Sequence, residues 1–146
     1  MGLFQSFNIS ASGMTAERFR TDIITENIAN VNTTSTESGG PYRKIVTFQE
    51  RAVTPFSQVF SSASKNPALG NGVKVTSVRE DTETDFVKEY DPSNPDADAD
   101  GYVSYPNVNT VTEMTNLIDA QRAYEANATA FEASKSMAQT GLSIGQ

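Results

Sequence analysis

The residues best spaced for chemistry are Asp96, Asp98, Asp100 and Gly101. They reproduce positions 1, 3, 5 and 6 of a calcium-binding loop, where alternate carboxylates converge on the ion and glycine makes the sharp turn. The pattern breaks at position 12. There the bidentate glutamate is replaced by Asn107, with Pro106 just before it. Pro92 and Pro95 oppose the helix that should lead into such a loop. The segment is therefore expected to be a solvated or hydrogen-bonded turn, with a calcium-stabilised secreted binding module as the alternative. The chain has no Cys and no His. That excludes disulfides, Cys- or His-based metal sites and the commonest general base. Pairs of Asp and Glu could exchange protons, but none stands apart from an exposed acidic background, and exposure does not raise a carboxyl pKa. Lys65, Lys74 and the serines form no nucleophile motif. No enzyme activity, no cofactor and no small-molecule substrate are expected.

Charge narrows the partners. The formal net charge is −7, from 18 acids and 11 bases, and half of the acids lie between Glu80 and Asp100. No basic face is available to displace counterions, so nucleic acid is not an expected partner. No apolar run of about 20 residues is present to span a membrane. The N-terminal stretch lacks a basic residue before Arg18, and Gln5, Ser6, Asn8 and Ser10 interrupt its apolar positions. It does not read as a cleavable signal peptide. Export would need another route. The myristoylation-like Gly2 and Ser6 and the sequons at Asn8, Asn32 and Asn127 are taken as chance.

Without chemistry to position, the elements themselves become informative. Leu3, Phe7, Met14, Ile24, Ile28 and Val31 follow one alternating heptad-like register, which predicts a helix over 3–31. Ser10, Glu17 and Thr21 interrupt the seam. Phe4, Ile9, Phe19 and Ile23 widen it beyond what one partner helix covers. The helix fades into a Thr/Ser tract and breaks at Gly39, Gly40 and Pro41. A second helix is predicted over 110–142, along Met114, Leu117, Tyr124, Ala128, Phe131, Ala138 and Leu142. Gln121 and Lys135 are polar members of that seam. Thr110 and Glu113 fit a capping box at its start. Asp119 with Arg122, and Glu132 with Lys135, are spaced for i,i+3 ion pairs.

Between the helices, 42–50 reads as a short strand and 72–78 as a second, alternating Val73 and Val75 with polar residues. Residues 85–90 are a possible partner strand, giving a small sheet or a pair of hairpins, and 91–107, with three prolines, is expected to be irregular but ordered. The fold class is mainly α with a small β part. Long N- and C-terminal helices pair as a coiled coil around a small, irregular, β-containing middle segment. The expected divisions are 1–33, 34–109 and 110–146, the last pairing with the first. Apolar residues outside the seams (Phe4, Phe19, Ile23, Val111 and Ile118) are expected to face other subunits. A plain two-helix monomer core is the simpler alternative, but two helices rarely cover stripes this wide.

Two segments carry a family resemblance. Residues 12–33, SGMTAERFRTDIITENIANVNT, closely resemble the N-terminal signature of bacterial flagellar axial proteins, through Ser12-Gly13-Met14 and Asn27 to Thr33. Residues 113–131, EMTNLIDAQRAYEANATAF, resemble that family's C-terminal helix. Residues 92–109, PSNPDADADGYVSYPNVN, are similar to the stretch typical of proximal rod members, not of the longer hook and distal rod proteins. Asn94 departs from the histidine more usual there.

The resemblance implies a structural subunit of the basal-body rod, the hollow drive shaft that crosses the periplasm, or the wall in a single-membrane cell. It implies passage through the flagellar type III export apparatus, and assembly with other flagellar rod proteins and copies of itself. Its terminal helices would line the inner tube. The residues expected to pack subunits are Phe7, Met14, Phe19, Ile24 and Ile28 in the first helix, and Met114, Leu117, Ile118, Tyr124 and Phe131 in the second. Asn27, Asn30 and Asn32 are expected to shape the helix exit through side-chain bonds to the backbone. A coiled-coil adaptor that stays in the cytosol is the remaining alternative.

Overall fold

A computed structural model describes residues 3–37, 40–41, 44–50, 72–81 and 83–144, with only the backbone of 3–4 and 44–50. The element order is α1 (Leu3–Ala29), β1 (Lys44–Glu50), β2 (Val73–Glu80), β3 (Val87–Tyr90), β4 (Tyr102–Tyr105) and α2 (Thr110–Ile144). The structure is mainly helical. Its two long helices pack against each other, and two small antiparallel ribbons lie between them in sequence.

α1 and α2 run antiparallel. The rings of Phe7 and Phe131 lie 4.9 Å apart, Gly13 sits under Asn127, and Arg18 and Thr21 share a crevice with Gln121 and Tyr124. As the number rises on one helix it falls on the other. Small side chains occupy much of this seam: Gly13, Ala120 and Ser134 are all buried. They let the two backbones approach closely. Ile23 and Ile24 supply bulk. The expectation that Ile23 faces other subunits is corrected here, because it is only 8% exposed. Successive helical residues are about 100° apart, so Ile23 and Ile24 point to different sides of α1, and both are buried. The side chain of Phe4 lies outside the described residues.

α1 ends through its own side chains. Asn30 Nδ2 donates to the Glu26 carbonyl at 2.9 Å, and Asn30 Oδ1 accepts from Thr33 Oγ1 at 3.1 Å. The Glu26 carbonyl thus accepts twice, from the Asn30 amide and its side chain, and Thr33 ties the exit to the same asparagine. Of the other two asparagines expected at the exit, Asn27 is buried within α1 and Asn32 is exposed.

α2 starts one residue earlier than the capping box predicts. Asn109 is the cap: its Oδ1 accepts from the Val111 and Thr112 amides at 3.0 and 3.1 Å. Asn caps at least as well as Thr, and this shift moves Glu113 out of the position from which it could reach back. The expected i,i+3 ion pairs on α2 do not form. Among the described residues the ion pair is Arg20 with Glu17, at 3.7 Å on α1. The exposed acids and bases of α2 stay solvated, as weak surface pairs often do.

β1 and β2 pair antiparallel from Lys44↔Glu80 to Glu50↔Val73, with a bulge between Thr47 and Phe48. Val73, Val75 and Ser77 are half-buried while Lys74 and Thr76 are exposed, which is the period-2 pattern of a one-sided ribbon. This ribbon packs on α1. Of the two arrangements the sequence left open, one small sheet or two separate pairs, the structure has two pairs, and β3 is not the partner of β2. β3 pairs with β4, from Val87↔Tyr105 to Tyr90↔Tyr102, and β4 lies in a stretch expected to be irregular. The prolines misled that reading: Pro92, Pro95 and Pro106 all fall outside the strands. Val103 of β4 is fully buried.

Candidate assembly surface

The site of a packing protein is its surface, and here the surface is set by how closely three elements meet near Ser12. Ser12 Oγ donates to the Ile9 carbonyl at 2.7 Å and accepts the Val73 amide at 3.0 Å. One hydroxyl thus pins the start of β2 to α1. Gly72, with φ of +90°, makes the turn into β2, and a β-carbon there would collide with Ser12 Oγ. On a neighbouring face of α1, Gly13 admits Asn127, whose amide also donates to the Ala123 carbonyl at 2.8 Å. α1 is therefore the hub: it packs against α2 and against both strands of the first ribbon.

The second ribbon is held differently. Thr34, on the chain leaving α1, donates its hydroxyl to the carboxylate of Asp96. Tyr102 and Ser104 lie beside Thr34, Ser35 and Pro41. The loop 91–101 is a chain of side-chain-closed turns. Asp91 Oδ1 accepts from Ser93 N, Asn94 Oδ1 from Asp96 N, and Asp98 Oδ1 from Asp100 N and Tyr102 N at 3.0 and 2.9 Å. Asn and Asp suit such turns because their side chains mimic a backbone acceptor. Gly101 takes a φ of +82°, and Tyr90 would stand 2.9 Å from a β-carbon there. The Asp96 and Asp98 carboxylates thus bond within the protein. Among the described residues no group of three His, Cys, Asp or Glu is arranged to hold a metal.

The residues expected to pack subunits divide into two sets. Phe7 and Phe131 meet in the α1–α2 seam, Ile24 is buried, and Met14, Ile28 and Leu117 are half-buried. Phe19, Met114, Ile118 and Tyr124 are exposed. Phe19 borders a cleft of about 320 Å³ with Ser12, Ala16, Val73 and Val75, in the angle between α1 and β2. Val111, Met114 and Ile118 fall within roughly 60° of one another at 3.6 residues per turn. That face lies opposite buried Glu113 and Ala120. The structure leaves it bare, with Val111 74% exposed.

Sequence reasoning missed Ser12, Gly13, Asn109 and Asn127 as structural joints. A glycine inside a strong helical pattern was the available signal, since it costs about 1 kcal/mol against Ala and needs a packing reason. No helix among the described residues is long and apolar enough to cross a membrane.

Comparison with known proteins covers both helices. The family described as "Flagella basal body rod protein" matches residues 7–35, and "Flagellar basal body rod FlgEFG protein C-terminal" matches 99–144. The flagellar basal-body rod protein FlgC of Borreliella burgdorferi is 44% identical over 152 residues, covering 100% of this chain and 99% of the relative. FlgC of Bacillus subtilis is 43% identical over 151 residues, and that of Salmonella typhimurium 38% over 147, each covering 100% of both chains.

Proposed function

The chain belongs to the FlgC family of flagellar basal-body rod proteins, and from that premise we propose that it works by packing alone, as one subunit of a shaft that transmits torque. It is a structural rod subunit of the basal body, not an enzyme. The observation that carries the mechanism is the split between the two faces of α2. One face closes on α1. The other, with Val111, Met114 and Ile118, is exposed among the described residues. A surface of this kind on a rod subunit is an interface.

Subunits joined by a contact that does not close on itself form an open helical tube. Long helices spread the load over many small contacts, so no single bond carries the torque. The hollow interior would pass exported subunits, and the chain itself would travel through the flagellar export apparatus in an unpacked state. Its partners are other rod proteins and copies of itself, in the part of the rod that crosses the periplasm or wall. The expected packing residues take two roles on this reading. Phe7, Ile24 and Phe131 hold α1 to α2, while Phe19, Met114, Ile118 and Tyr124 meet neighbouring subunits.

Cryo-electron microscopy of isolated basal bodies tests this. The expected result is density for the chain in the rod, with both helices near the axis and the ribbons further out. Density outside the rod, or with the ribbons innermost, overturns it.

A further inference from the structure

The charges of the middle segment fall into two blocks. From Arg43 to Arg79 the sequence holds six bases and a single acid, Glu50. From Glu80 to Asp100 it holds nine acids and a single base, Lys88. The first block contains the β1–β2 ribbon, and the second contains β3 and the loop into β4. Within one subunit the two blocks do not neutralise each other. Among the described residues neither strand of one ribbon packs on the other. Among the same residues Lys74, Arg79, Asp85 and Asp100 form no ion pair.

Each ribbon also keeps a bare face. β3 is exposed along its whole length. Its Tyr90 pairs across the strands with Tyr102, and the two rings lie 5.3 Å apart. Tyr90 also stands over Gly101, so its ring is held in place although 63% exposed. On β2, Lys74, Thr76 and Val78 are exposed, opposite the half-buried Val73, Val75 and Ser77. Charge says what covers these faces. Two acidic ribbons repel each other, and so do two basic ones. A basic ribbon against an acidic one is the pairing in which copies attract. The centre of such a contact has its apolar part as well: tyrosine rings on one side, Val78 and the alkyl stem of Lys74 on the other.

We infer that the β3–β4 ribbon of one subunit docks, through Tyr90 and Tyr102, on the exposed Lys74–Val78 face of β2 in an adjoining copy of this chain. The two faces differ, so the contact is heterologous and passes from copy to copy. This rests on the rod-subunit reading.

The test places the photocrosslinker p-benzoylphenylalanine at Tyr90 of the full chain, and in a second strain at Phe86, in flagellated cells. Basal bodies are isolated and irradiated, the products are separated by mass, and the joined peptides are sequenced by mass spectrometry. The expected product has twice the mass of the 15.8 kDa chain and joins the substituted position to residues 73–79 of a second copy. Lys74→Glu with Arg79→Glu should cut its yield at least about tenfold, because like charges then face each other. Adding Asp85→Lys with Asp100→Lys to the same chain should restore most of it. A product of single-chain mass, crosslinks only to other segments or other proteins, or none in basal bodies that contain the chain overturn the inference and leave the rod reading standing. So does a charge reversal that leaves the yield unchanged, or one that the second pair does not rescue. Absence of the unsubstituted chain from basal bodies overturns both.

Discussion

Asn127 lies directly over Gly13: a β-carbon at position 13 would stand 2.7 Å from Asn127 Oδ1 and 2.8 Å from its Cγ. In an open helix, Gly→Ala stabilises by about 1 kcal/mol. Here the clash reverses the sign, since overpacking a close contact costs about 1–3 kcal/mol. Gly13→Ala should therefore impair swimming and lower the heat stability of isolated basal bodies. Adding Asn127→Ala should restore both. Failure of the second change to rescue the first would show that the two residues do not meet in the rod.

Ser12→Ala removes the acceptor for the Val73 amide. A part-buried donor left unpaired costs about 1–3 kcal/mol. The Val73 amide should exchange with solvent faster in the variant, while the amides of β3 and β4, which α1 does not pack against, keep the rates of the parent. Unchanged exchange at Val73 would mean that this bond does not hold the ribbon.

Asp98→Ala should loosen the second ribbon, because the Asp98 carboxylate closes the turn onto the amides of Asp100 and Tyr102. The expected cost is about 1 kcal/mol, as for other side chains that cap backbone amides. Asp98→Asn, which keeps the acceptor oxygen, should lose less. Added calcium should change neither the parent nor the variants in thermal melts. A calcium-dependent rise in melting temperature that Asp98→Ala abolishes would reinstate the metal reading.

Phe131→Ala deletes one partner of the Phe7 contact, whose ring planes meet at 56°. The ring is only half-buried, so the loss should sit near the low end of the range for buried aromatics, about 3 kcal/mol. The variant should still be exported but give no motility. Lys135→Ala, at an exposed position of the same helix, should be tolerated. Immunoblots of the secreted fraction beside swimming assays decide it, and normal swimming by Phe131→Ala would remove this seam from the load-bearing set.

The isolated chain should have weakly held ends. The buried apolar residues described on the two helices are Ala16, Ile23, Ile24 and Ala120, little apolar surface for two helices that are marginal alone in water. Amide exchange on a dilute monomer should show little protection over 3–29 and 110–144. Strong protection there would favour a self-sufficient two-helix core.

Both helices and the two strands of the first ribbon were legible in the sequence because their signals are periodic, although the pairing of those strands with each other was not. Nor was the β3–β4 pairing. Its register depends on how Asp91, Asn94 and Asp98 each bend the backbone, and no hydrophobic period reports that. The Asn109 cap was missed by one residue because Thr110 offered a plausible box of its own. Ile23 was misplaced because the heptad was drawn for one partner, while α1 has two, α2 and the β1–β2 ribbon. The expected packing residues mix both faces for the same reason: periodicity finds apolar positions without saying which neighbour each one meets. Ser12 and Gly13 carry no hydrophobic signal at all.

That two-sided packing of α1 has a mechanical consequence. Among the described elements, the first ribbon touches α1 and α2 touches α1, but the ribbon does not touch α2. A sideways push on the ribbon can reach α2 only by passing through α1, as through springs joined end to end. In such a chain the compliances add, and the softest joint sets the stiffness of the whole. One such joint is the hydroxyl of Ser12 against the turn at Gly72. How far the first ribbon yields under a sideways load would then be set by its contacts with α1, and not by the longer α1–α2 seam.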